Sequence, residues 1–413
     1  GKFPVLILCT LLCGFLFPEI SHGQSYRFLN YGAKSNIGDG FVYTLNQDST
    51  RYIWVGTGKG ISKFDGFNFF NVPFPDSAVS RYPSASILDR NGRLWFGCSD
   101  GTLFQSDYGI LKKVPINNSR SIISIIESPD GQIFIIPQGK SLFRIDPFDY
   151  SKVSSLPINQ DIVVSSACFT KSGKLLIGTQ ENIIVYDVSG DSLKVEEKIE
   201  GFDYSSVSAI FRLKAENSFL VGTEGNGLFF LDLNEGTRGL KKLKYDDDLE
   251  YATVHSILRD NNSNIWISTN ESGILLLTLT ENEDVIKSLR KIDSGTGLPG
   301  NNVKLVFLDI ETNYWVGLIG NGLSMLNSYA FSFLIPGGTN GQNNIIYAGM
   351  LENNYLLGTA EGYYLYSKDL SKLNGYFDLR KRTGNREIGS YCIDNKSNLW
   401  IGTKGSGLFV LKK

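Results

Sequence analysis

The stretch DNNSNIWIST, residues 260–269, recurs as DRNGRLWFGC at 89–98 and as DNKSNLWIGT at 394–403. DSTRYIWVGT (48–57) and DIETNYWVGL (309–318) follow the same pattern, and in all five Asp stands six residues before Trp. Weaker copies carry Phe134, Leu176, Leu220 and Leu356 in the place of Trp. The nine anchors are thus Trp54, Trp95, Phe134, Leu176, Leu220, Trp266, Trp315, Leu356 and Trp400, spaced 39 to 49 residues apart. A period of this length is that of a propeller blade.

Outward from each anchor the grammar repeats. An apolar run such as Val42-Tyr-Thr-Leu precedes an Asp-x-x-Gly or Asp-x-x-Ser turn. The anchor strand follows, usually ending in Gly-Thr, then a second glycine turn, a third apolar run and a weaker fourth strand. Asp accepts backbone hydrogen bonds in tight turns, and Gly or Asn tolerates positive φ there. A lone four-stranded sheet cannot bury both of its faces; radial stacking does so and hides most edges. Each Trp offers about 2–3 kcal/mol of burial to such an interface. Helical periodicity is nearly absent, which rules out helical solenoids.

The fold class is therefore all-β, a β-propeller of four-stranded blades. Seven blades over residues 24–328 is the preferred count, with Tyr26 to Tyr31 supplying the outer strand of blade seven. Residues 329–413 then hold two further repeats of an incomplete second propeller, opened by FSFLIPGGTNGQNNIIYAG (331–349). The rival is a single ring of eight or nine blades, in which the N-terminal strand completes repeat nine.

The N-terminus reads as a signal peptide, residues 1–23. Lys2 precedes the apolar run Val5 to Phe17, and Ser21-His22-Gly23 places small residues at −3 and −1 of a cleavage site. Cleavage leaves Cys98, Cys168 and Cys392, which are expected as buried thiols without a C-x-x-C metal pattern. The formal charge of −2 gives no electrostatic footprint for nucleic acid.

The repeat, with the opening Tyr26-RFLNYGAKSNIGDGFVYTLNQD-Ser49 and Tyr52-IWVGTGKGISKFDG-Phe67, resembles the two-component regulator propeller repeat. That repeat fills the periplasmic sensor region of hybrid two-component systems and sensor histidine kinases of Bacteroidetes-type bacteria. The resemblance implies paired seven-bladed propellers, a β-sandwich, a membrane helix and a kinase, with sensing of carbohydrate-derived ligands. It implies a periplasmic location, attached to the inner membrane in a full-length sensor, and a homodimer. Partners would be an oligosaccharide-like ligand, a second propeller or sandwich domain, and a histidine kinase lying in a region absent from this chain.

The segment itself is expected to be non-catalytic, without metal or cofactor. After the signal it has one histidine, His255, read as an ordinary blade residue, so a histidine-based triad or multi-histidine metal centre has too few members. Asp48, Asp89, Asp260, Asp309 and Asp394 recur at one repeat position, which assigns them to turns. The alternative is a secreted glycan-active enzyme, a glycoside hydrolase or lyase, working with loop acids such as Asp161 and Asp203. Ligand contacts are expected on the loops entering each inner strand, where Arg81, Tyr82, Arg120, Tyr204 and Tyr251 are the leading candidates. Asn118, Asn302 and Lys304 belong to the same wider set. Trp54, Trp95, Trp266, Trp315 and Trp400 are the structural repeat anchors.

Overall fold

The computed structural model describes residues 26–412, except 33–34, 36, 76–80, 108, 147, 159–161, 328–343, 369, 371 and 385. The signal peptide expected at 1–23, Asp161 and most of the second opening segment fall outside the described residues. The protein is an all-β fold of antiparallel sheets arranged as propeller-like blades. Among the described residues, eight sheets have four strands and the ninth has three.

Sheet one is typical: Val42–Gln47, Ile53–Thr57, Gly60–Phe64 and Phe69–Val72 pair in chain order. Sheet seven breaks the order. Its strands Val303–Leu308, Tyr314–Leu318 and Leu323–Leu326 are completed by Leu29–Tyr31, with Asn30 opposite Ser324. The first strands of sheets one to seven pack side by side in sequence, and Val303–Leu308 packs back onto Val42–Gln47. At that seam Phe41 bridges Ile319, and the Gly40 carbonyl accepts from the Gly320 and Gly322 amides at 2.9 and 2.8 Å. Tyr26–Ala330 forms one compact unit, and the sheets starting at Ile345 and Ile388 belong to another.

The recurring Asp and Trp are one device. Trp Nε1 donates to Oδ2 of the Asp six residues earlier at 2.7 Å (Trp54), 3.0 Å (Trp95 and Trp266), 2.8 Å (Trp315) and 2.9 Å (Trp400). Oδ1 of the same Asp caps the turn, accepting for example from the Asn262 and Asn264 amides at 2.9 Å. One carboxylate thus closes the hairpin and satisfies the indole N–H that burial removes from water. Ionised Asp is the acceptor this needs. At Asp394, hydrogen bonds from Trp400 and Asn398 hold the carboxyl well below its ordinary range.

The glycine second from the end of the anchor strand has an equally physical cause. A Cβ on Gly56, Gly97, Gly178 or Gly222 would stand 2.4–2.8 Å from Pro83, Ile122, Val207 or Val254, the first residue of the next sheet's first strand. On Gly317 it would meet Val42 of sheet one at 2.8 Å. The same contact therefore recurs between sheet seven and sheet one.

Candidate functional site

Each first strand carries a β-bulge at its second residue. The seven bulged residues are Tyr43, Ser84, Ile123, Ser165, Ser208, His255 and Lys304. Bulges re-aim a side chain out of the ladder. Here the serines turn toward the next sheet. Ser84 donates to the Ile122 carbonyl at 2.6 Å, Ser165 to that of Val207 at 2.7 Å and Ser208 to that of Val254 at 2.5 Å. Tyr43 makes the equivalent reach by stacking on Tyr82, with ring centroids 4.7 Å apart. Just before each bulge, the loop after the anchor strand ties down the approach. Ser99, Glu224, Asn270 and Ile319 donate their amides to the carbonyls of Tyr82, Ser206, Thr253 and Asn302 at 2.9–3.0 Å. Side chains of these loops and of the bulges make up the upper face.

His255 and Lys304 occupy neighbouring bulges. Burial pushes the His255 imidazole down to about 4, and the Lys304 charge adds to this. Burial also lowers Lys304, against the opposing pull of Glu224 in the loop of sheet five. His255 is therefore neutral near pH 7, beside an ammonium group that favours anions.

Two exposed tyrosines stand farther out on the same face. Asp203 and Tyr204 both take left-handed conformations, φ +50° and +60°, inside a turn closed by Ser205 N donating to Phe202 O at 3.0 Å. Two consecutive non-glycine residues there cost of order 1–3 kcal/mol each, and the outcome is a ring held 91 % exposed. Tyr251, 66 % exposed, follows the short helix Asp247–Glu250, whose Asp246 cap accepts from the Leu249 amide at 3.0 Å. Between these loops Asn226 donates to Phe202 O at 3.2 Å and Asp203 Oδ2 at 3.4 Å, and accepts from Lys242 Nζ at 2.5 Å. Lys242 lies 3.9 Å from Glu250 and 5.7 Å from the Tyr251 ring centre. A cleft of about 580 Å³ opens beside Tyr251, lined by Asp247, Asp248, Thr253, Asn270 and Glu271 among others. A second, of about 360 Å³, lies by Tyr204, with Glu181, Asn182 and Glu200.

The other sequence candidates lie on the far side of the face, at sheets two and three. Arg81 is buried, 6 % exposed, paired to Asp100 at 2.8 Å with the Phe74 and Phe104 rings about it. It fastens its loop and presents no free surface. Tyr82 is half-buried against Tyr43. Arg120 is exposed, its amide donating to Asn118 Oδ1 at 3.1 Å, beside a cleft of about 350 Å³. Lys304 is a strand residue and not a loop residue. Asn226 and Lys242 escaped the sequence reading because neither sits in a loop between sheets. A lysine and a histidine among serines at the second position of the first strand were the available signal for Lys304 and His255. Cys168 is held up at about 11 by burial, as befits an inert thiol, whereas Cys392 is exposed and not buried as expected. Among the described residues, no group of three His, Cys, Asp or Glu converges in a metal-binding arrangement, and no helix is long and apolar enough to cross a membrane.

With this geometry in place, the comparisons can be read. The family described as "Two component regulator propeller" matches residues 248–271, from the short helix through the first two strands of sheet six, Val254–Arg259 and Ile265–Thr269. None of the curated proteins matches the chain. The extracellular domain of a hybrid two-component system of B. thetaiotaomicron is 18 % identical with a TM-score of 0.68, covering 94 % of this chain and 53 % of that one. That of a one-component system of the same organism is also 18 % identical, with a TM-score of 0.59, covering 92 % and 51 %. The chain thus spans about half the length of these sensor domains. Virginiamycin B lyase of Staphylococcus aureus is 15 % identical with a TM-score of 0.58, covering 73 % of this chain and 99 % of that one. At these identities the likeness is one of fold.

The lyase corrects the expectation that this segment is non-catalytic. An entire enzyme is built on the same fold, so the architecture gives no ground for denying an activity. A histidine-to-alanine variant of that lyase is described as catalytically inactive.

Proposed function

We propose that residues 24–328 close as a seven-bladed propeller, that residues 329–413 begin a second, and that the upper face binds a carbohydrate-derived ligand. In this reading the chain is the periplasmic input region of a two-component signalling protein, exported by residues 1–23 and signalling to a histidine kinase elsewhere in the protein. The observation that carries it is the pair of exposed rings, Tyr204 and Tyr251, set on neighbouring loops and joined through Asp203, Asn226, Lys242 and Glu250. Aromatic faces take the apolar faces of sugar rings, and planar or charged groups between them take hydroxyls. The fold likeness to extracellular sensor domains supports the signalling role. Tyr82 and Arg120 extend the face on sheets two and three, and Arg81 holds their loop in place. Calorimetric titration across an oligosaccharide panel tests the reading. The Tyr204→Ala/Tyr251→Ala double variant is expected to bind at least tenfold more weakly; unchanged affinity, or no binding by the parent protein, rejects it.

The lyase likeness favours a second reading, a glycan-active enzyme using the same face. His255, neutral near pH 7, and Glu224 are its proton-handling groups, and Lys304 is its cation. Product formation from polysaccharides, lost in His255→Ala, supports turnover. Binding without product across the panel supports the sensor reading instead.

A further inference from the structure

Five of the seven bulge positions carry a serine, histidine or lysine, and they divide into two kinds. Ser84, Ser165 and Ser208 spend their hydroxyls on the carbonyl of the next sheet. At His255 and Lys304 the same position carries groups that the protein leaves open. Lys304 makes no hydrogen bond or ion pair among the described residues. Nε2 of His255 and Oδ1 of Asn302 are buried without a hydrogen-bond partner. The Asn302 backbone, by contrast, is held, its carbonyl accepting from the Ile319 amide at 3.0 Å. Buried polar groups are paired as a rule, so the two open atoms of His255 and Asn302, beside the half-buried side chain of Lys304, call for a ligand or water to complete them.

We propose that Lys304, His255 and Asn302 form an anion site on the inner ring, selective for a carboxylate that carries neighbouring hydroxyls, as in an acidic sugar. The ammonium of Lys304 donates to the carboxylate. The neutral imidazole donates or accepts through Nε2 according to tautomer, and the amide oxygen of Asn302 accepts from a ligand hydroxyl. Burial lowers Lys304, and Glu224, which makes no ion pair with it among the described residues, opposes that fall without neutralising the amine. The site stands on residues other than Tyr204 and Tyr251 and is independent of the tyrosine reading.

The chain has two histidines, His22 and His255. In a His22→Gln background the imidazole proton signal of His255 is single and reports directly on the site. Sodium D-galacturonate at pH 7 is expected to move that signal saturably, while galactose leaves it in place. Lys304→Met is expected to raise the half-saturating concentration at least tenfold, and Lys304→Arg, which keeps the charge, to retain the response. The dispersion of the amide spectrum verifies that each variant is folded. A signal unmoved by galacturonate, or an equal response in Lys304→Met, overturns the site. The response of the Tyr204→Ala/Tyr251→Ala variant separates the two proposals: a preserved His255 shift leaves this site standing even where oligosaccharide affinity is unaffected by the tyrosines.

Discussion

Trp315 in sheet seven and Trp400 in sheet nine have the same local structure and different surroundings. Each donates its indole N–H to the Asp six residues before it, at 2.8 and 2.9 Å, and each follows a turn capped by that Asp. Yet Trp315 is 2 % exposed and its whole strand is buried, whereas Trp400 and two of its four strand neighbours, Gly402 and Thr403, are buried only in part. One strand on, Leu323 is buried and Leu408 is 63 % exposed. The hairpin and its Asp–Trp bond are written locally; burial is supplied by the neighbouring sheet. Full burial of one such apolar side chain is worth about 1.5–3 kcal/mol, so the two regions should differ in stability although their sequences follow one grammar.

Substitution of the two tryptophans breaks the comparison most sharply. Trp315→Ala empties a filled interface and is expected to cost about 3–5 kcal/mol, read as lost amide-exchange protection across sheets seven and one. Trp400→Ala is expected to cost less than half as much in its own sheet; equal costs would mean that neighbouring sheets contribute nothing.

The glycines second from the end of the anchor strands give the next largest difference. Gly317→Ala drives a Cβ to 2.8 Å from Val42, an overpacking of about 1–3 kcal/mol. Gly402→Ala meets first the Ser390 hydroxyl of its own sheet, a side chain that can rotate aside, and should be close to neutral in thermal unfolding.

A pH effect confined to one region is the smallest. His255 has a folded pKa of about 4 against an ordinary 6.5, from burial first and Lys304 second. The unfolded chain thus binds the proton more readily. The associated stability is complete above pH 6.5 and is lost as pH falls toward 4. Amide exchange in sheets six and seven should accelerate over that window and not in sheets eight and nine, which contain no histidine. His255→Gln should remove the difference, and an unaltered profile would show that the imidazole is not the group involved.

These contrasts mark how far the sequence could be read. The blade period and the turn role of Asp48, Asp89, Asp260, Asp309 and Asp394 were legible because they depend on residues within one hairpin. The second role of each Asp, as acceptor for its own Trp, was present in the constant spacing of six but needs a side-chain geometry that spacing alone does not supply. The glycine of the anchor strand could be seen to recur, but its cause lies 25 to 32 residues onward in the first sheets, in the residue that opens the next sheet. The site was legible in part for the same reason. Tyr204 and Tyr251 stand on loops and were found as loop aromatics. Arg81 looked alike in sequence and is consumed by Asp100, a partner only the fold brings near. His255 was read as an ordinary blade residue and Lys304 as a loop residue, since the sequence does not show that a bulge re-aims the second residue of the strand.

The central claim is that Leu29–Tyr31 closes a ring of seven sheets. Asn30 and Ser324 face each other across that pairing, at the Cα separation of about 4.5–5.5 Å that adjacent antiparallel strands give and a disulfide accepts. Asn30→Cys/Ser324→Cys tests it directly, with peptide mass spectrometry on the oxidised monomer. The expected result is an intramolecular disulfide between the two introduced thiols and a raised thermal midpoint. Failure to form it in folded monomer, or capture of the N-terminal strand by Leu408–Leu411 of sheet nine in the equivalent Asn30→Cys/Phe409→Cys pair, would contradict the seven-sheet ring.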